Sequence, residues 1–138
     1  MKAKRNLLAI LAVILAAVGL PAAAHHSVAG VFDISHTLKL TGMVSRVDWI
    51  NPHTSVYLDV KDAGGVTTWR LECLPVAMMR KAGLSKQQLL SEGQTVTVAV
   101  HPARNGTPAF GYLLDIKYAD GRHLQFSPDP NDKSAAIQ

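Results

Sequence analysis

The chain has one cysteine among its 138 residues, Cys73. A lone thiol cannot close an internal disulfide, so cohesion has to come from burial and strand pairing. Cys73 is then a buried small apolar residue, an intermolecular partner or a soft metal ligand. Free cysteines are among the most buried residue types. The sequence also lacks a paired-carboxylate signature, a phosphate-binding glycine loop, a dinucleotide fingerprint and any H-x-x-x-H pair. Cys73 has no adjacent base. Ser27 beside His26, with Asp33, Asp48, Asp59 and Asp115 elsewhere, has no spacing that fixes a triad. An enzyme is not expected, and no catalytic residue is assigned. There is no internal repeat and no low-complexity tract.

Long apolar runs are scarce as well. The longest, Leu7 to Leu20, follows a basic start at Lys2, Lys4 and Arg5 and precedes Pro21 and the small residues Ala22, Ala23 and Ala24. That order of charged, apolar and small residues is a secretory signal peptide. The run is short of the roughly 20 residues of a spanning helix, which disfavours the rival reading of an uncleaved anchor. Cleavage after Ala24 would leave His25 at the new terminus. The expected compartment is the periplasm, with no membrane span after cleavage.

Charge of one sign is missing too, once the leader is set aside. The net charge of +4 rests largely on Lys2, Lys4 and Arg5; without them the 14 basic residues come close to parity with the 10 acidic ones. A polyanion partner loses its main support. Aromatic residues are only 6% of the chain, and Trp49 and Trp69 lie on apolar faces, so a stacking platform for nucleic acid is not expected.

What is present is strand pattern. Leu38 to Ile50 is β-branched and apolar, with its phase of burial switching at Thr41–Gly42, as an inserted bulge residue would cause. Asn51–Pro52 breaks it. His53 to Lys61 alternates, with Val56, Leu58 and Val60 inward. Asp62 to Gly65 is a hairpin turn. Val66 to Cys73 returns with Thr67, Trp69, Leu71 and Cys73 on one face. Pro75 opens a short helical piece, and Ser85 with Gln88 forms a capping box for another. Gln94 to His101 is a strand with Val96, Val98 and Val100 inward. Ala109 to Tyr118 is the next, with Phe110, Tyr112, Leu114 and Ile116 on one face, and Arg122 to Phe126 adds a short last one.

The order β-β-β-α-β-β(-β) is that of a five- to six-stranded OB-fold-like barrel, all-β with one short helical segment. The expected organisation is a signal peptide over 1–24, an extended N-terminal arm over 25–37, the barrel over 38–126 and a flexible tail over 127–138. Val28, Val31 and Phe32 are the residues that would pin the arm to the barrel.

Several segments together carry a resemblance: Ala24-His25-His26-Ser27, Phe32-Asp33, Leu40-Thr41-Gly42 and Val47-Asp48-Trp49-Ile50-Asn51-Pro52-His53. They resemble a family of small exported bacterial proteins of unknown function that begin AHHS and carry a V-x-W-x-N-P-H segment. The resemblance implies export and a β-barrel domain, and it assigns no catalytic residue.

The histidines carry the sharpest chemistry. A terminal His25 would offer its α-amine and ring to one ion, and His26 a second imidazole, a donor set that suits Cu(II). His53, at the start of a strand, is the expected third ligand. His36, His101 and His123 are further candidates. The rival reading is a barrel face around Tyr57 and Arg70 that binds a small molecule, a glycan or an envelope protein. In the plainer reading, His25 and His26 are what the peptidase leaves behind and His53 bonds to its own turn.

Overall fold

One strand, β1 (Leu38–Asp48), serves two neighbours in succession and so sets the barrel's shape. Its first half, Leu38 to Met43, pairs antiparallel with β4 (Thr95–Pro102). Its second half, Met43 to Asp48, pairs antiparallel with β2 (Ser55–Asp62). The computed structural model describes residues 28–126; the expected signal peptide, His25, His26 and the tail lie outside them. A tight turn joins β2 to β3 (Gly65–Glu72), Gly65 taking the positive φ that a side chain would resist. Two short helices follow, α2 (Val76–Lys81) and α3 (Lys86–Leu89), after a helical turn α1 (Val28–Val31) at the start. β5 (Phe110–Tyr118) runs antiparallel to β4, and β6 (His123–Gln125) is added outside β5. Parallel pairing of β3 with β5, Arg70 to Phe110 through Glu72 to Tyr112, closes β1 to β5 into a barrel. The expected OB-like architecture is therefore observed.

The interior is the set of inward residues of all five strands. Val47, Val56, Leu58, Leu71, Cys73, Val96, Val98, Val100, Leu113 and Ile116 are all buried, and Met79 and Leu89 bring α2 and α3 against them. The capping box is present as read: the Ser85 N–H donates to Gln88 Oε1 at 2.7 Å. Tyr118 ties α3 to the wall by donating to the Gln88 carbonyl at 2.6 Å.

Three expectations are corrected. The bulge in β1 lies between Val44 and Arg46, beyond the Thr41–Gly42 position expected. Leu38, Leu40, Gly42 and Val44 keep one phase, Val47 resumes burial after the shift, and Met43 is exposed. Gly42 has another task. It sits where β1 passes from β4 to β2, and a Cβ there would collide with the Asp59 carbonyl. Pairing with β4 ends at Met43, and beyond it buried Ser91 Oγ accepts the Val44 N–H at 2.9 Å.

In β5 a second irregularity, opposite Ala99 and Val100, splits the face that alternation predicted. Ile116 joins Leu113 in the main core, whereas Phe110, Tyr112 and Leu114 belong to a second cluster with Phe32 and Ala99. The third correction concerns the arm. Its described part is extended only around Phe32, which makes a single antiparallel bridge with Ala103 just past β4. Val28 to Val31 turns as a helix, with the Phe32 N–H on the Val28 carbonyl, and Phe32 is 3% exposed. Asp33 N–H donates to the Pro102 carbonyl, Arg104 N–H to Val31, and the Arg104 side chain to the carbonyls of Ala29 and Phe32.

Candidate functional site

Three strands present their outer faces side by side with nothing among the described residues packed over them. Register places Asp48, Ser55 and Glu72 in one row across β1, β2 and β3, and Arg46, Tyr57 and Arg70 in the next. Ser55 is the smallest of the six. Adjacent strands lie about 4.8 Å apart, so Asp48 and Glu72 stand roughly 10 Å apart across it, and a hollow opens between them. The β1–β2 connection, Ile50 to His53, forms the hollow's remaining wall, around a cis Asn51–Pro52 peptide. The result is a cleft of about 260 Å³ lined by Asp48, Ile50, Asn51, Pro52, His53, Ser55, Tyr57, Arg70 and Glu72.

Its charges are matched locally. Arg70 Nη2 lies 2.6 Å from Glu72 Oε1 on its own strand, and Arg46 Nε lies 3.2 Å from Asp48 Oδ1 on its own. The guanidinium of Arg46 also covers the Tyr57 ring, 3.7 Å from its centroid, and that of Arg70 lies 5.1 Å from the Phe110 ring. His53 Nδ1 stands 3.7 Å from the other Glu72 oxygen, with the imidazole side chain 45% exposed. Such a site offers fixed donors and acceptors, a flat ring and two apolar residues, Ile50 and Pro52, without an uncompensated field.

Of the residues singled out from sequence, Tyr57, Arg70 and His53 meet in this one cleft, although the first two were expected to act apart from the third. Asp48, Ser55 and Glu72 were not expected to contribute. The V-x-W-x-N-P-H segment was the available signal, since it supplies Asp48 and the whole connection.

Among the described residues, His36, His101 and His123 do not line this cleft. His101 is buried, and its Nδ1 lies 2.7 Å from the His36 carbonyl, which can only accept, so Nδ1 carries the proton. His123 Nε2 lies 3.4 Å from Asp115 Oδ2 on the far side of the barrel. Among the described residues no three of His, Cys, Asp and Glu are grouped to hold a metal ion. Cys73 lies in the core with its thiol 3.5 Å from the Thr54 carbonyl, and burial pushes its pKa up to about 12. It is a protonated packing residue at neutral pH, not an available nucleophile or soft ligand.

No helix of the described residues is long and apolar enough to cross a membrane. No curated protein and no solved structure matches the chain at a significant level. Residues 12–111 match the profile of a family of unknown function, DUF6152, and the chain belongs to that family.

Proposed function

We propose that this protein is an exported, non-enzymatic binding module of the periplasm whose cleft takes a small polar ligand, best matched by a neutral sugar. The observation that carries this reading is the convergence of His53, Tyr57 and Arg70 with Asp48, Ser55 and Glu72 on one open cleft whose charges are compensated inside it. A phosphate-rich ligand would need free cations, and both arginines there already hold carboxylates. A sugar needs a flat apolar surface and paired donors and acceptors; the two ion pairs supply the donors and acceptors, and Tyr57 supplies the surface once the Arg46 guanidinium over its ring moves aside. Barrels of this topology commonly bind oligosaccharides or oligonucleotides on strands 2–3 and the β1–β2 loop, which is an analogy of fold only. Near-neutral charge favours the former.

Titration calorimetry of the processed protein against neutral tri- to hexasaccharides of glucose and N-acetylglucosamine tests it. At least one should bind, and Tyr57→Ala should weaken that binding by about tenfold or more, ~1.4 kcal/mol. Absence of binding by the whole panel would sink the reading.

A second reading rests on the His53 imidazole, which is 45% exposed and has no hydrogen-bond partner among the described residues. It is that Cu(II) is held by the His25 amine and ring with His26 and His53. Copper titration of the processed protein, and of one carrying an extra residue before His25, decides it. Equal affinity in both would dismiss the terminal amine as a ligand.

A further inference from the structure

The β2–β3 hairpin leaves one strand edge open. β5 covers β3 only from Arg70 to Glu72, so Gly65 to Trp69 has β2 on one side and no strand on the other among the described residues. The direction of its free groups follows from the ladder. Arg70 N–H donates away from β2, to the Ala109 carbonyl at 2.9 Å. Main-chain groups alternate along an antiparallel strand, so those of Thr68 and Val66 also point outward. The other edges that run past their partners carry charge: Lys39 on β1, and Lys61 and Asp62 on β2. Such charges guard an edge against pairing. The sequence Gly65-Val66-Thr67-Thr68-Trp69 has none, has no proline, and is largely β-branched. Val66 is 63% exposed.

We propose that this edge pairs with the same edge of a second copy of the chain. The occupant follows from self-complementarity. With two β3 strands antiparallel and Thr67 opposite Thr67, each Val66 faces Thr68 of the other copy. The outward N–H and C=O groups then meet partners at both ends. Val66 and Thr68 side chains lie on the outer face, so the outer faces of both copies join into one sheet. Both clefts then open on the same side. If the cleft binds sugar as proposed above, two clefts on one face suit a polymeric glycan, whose second contact becomes intramolecular.

Sedimentation equilibrium of the processed protein without sugar, from about 10 μM to about 1 mM, is the test. A reversible dimer is expected, with amide exchange at Val66 and Thr68 slowing as concentration rises. Val66→Lys places a charge on the paired face, and Thr68→Pro removes an outward N–H that no ladder bond inside the barrel uses. Each should weaken dimerisation at least about tenfold with the circular dichroism spectrum unchanged. Tyr57→Ala should leave it intact, which separates this result from failure of the cleft reading. A monomer at the highest concentration, or a dimer indifferent to both substitutions, would overturn the proposal. Capture of a foreign strand at this edge without self-association would overturn it as well.

Discussion

On the β4–β5 side of the barrel the outward residues are covered, and on the β1–β2–β3 side they are not. The covered side has an apolar outer layer. Ala99, Tyr112 and Leu114 lie under Phe32, Val28 and Val31, and His101 anchors the following segment through the His36 carbonyl. The open side carries Arg46, Asp48, Tyr57, Arg70 and Glu72, each charge matched by a neighbour two residues away on its own strand. A sheet face that water reaches gains little from such pairs, typically under about 1 kcal/mol each. The difference separates the two walls: one is packed under the segment that starts at Val28, and the other is left open among the described residues.

The comparison breaks most readily at Phe32. Its ring contacts Phe110 and Tyr112 at centroid distances of 5.2 and 5.5 Å. Phe32→Ala should cost about 3–5 kcal/mol in urea unfolding, the usual range for a buried phenylalanine. Exchange at the Asp33 and Arg104 amides, which bond to Pro102 and Val31, should rise with it. Tyr57→Ala on the open side should cost less, about 1–2 kcal/mol, because its ring is only partly buried and is covered by the Arg46 guanidinium rather than enclosed in the core. Equal losses at the two positions would mean that the open face is structural after all.

How far the sequence reveals these walls depends on whether a feature is local. Strand alternation at Val56–Leu58 and Val96–Val98–Val100, the Gly65 turn and the Ser85–Gln88 cap need only neighbours in sequence, and all were legible. The bulge after Val44 and the split of β5 at Leu114 depend on which partner strand lies opposite. Alternation alone placed the first too early and missed the second. Phe32 was named as a pin, but its burial under a helical turn needed the β4–β5 surface to exist. The cleft was half legible. Tyr57, Arg70 and His53 stood out as residue types, whereas Asp48, Ser55 and Glu72 become neighbours only through the register of three strands.

Beneath the open face lies a smaller test. Thr54 is fully buried, and its Oγ1 has no hydrogen-bond partner among the described residues. Its backbone is spoken for: N–H to the Leu74 carbonyl, and C=O to the Cys73 N–H. An unsatisfied buried hydroxyl costs about 1–3 kcal/mol, and valine has nearly the same shape. Thr54→Val should therefore raise stability by about 1–2 kcal/mol and leave sugar affinity unchanged. Destabilisation would show that the hydroxyl bonds to a buried water.

The smallest effect should come from Arg46, and its pattern is informative. The residue has two partners, the Asp48 carboxylate and the Tyr57 ring, and its side chain is more than half exposed. Salt screens the first contact strongly and the second less, since part of the stacking is apolar contact of a weakly hydrated guanidinium. A double-mutant cycle of Arg46→Gln with Tyr57→Leu should give a coupling of about 0.5–1 kcal/mol that survives in 1 M salt. The cycle with Asp48→Asn should give less than about 0.5 kcal/mol, fading as salt rises. If the carboxylate coupling were the larger and the ring coupling absent, Arg46 would be held by charge alone. A ligand stacking on Tyr57 would then displace it at almost no cost. If the ring coupling dominates, Arg46 is the competitor that any sugar must move aside, and Arg46→Gln should tighten sugar binding while barely changing stability.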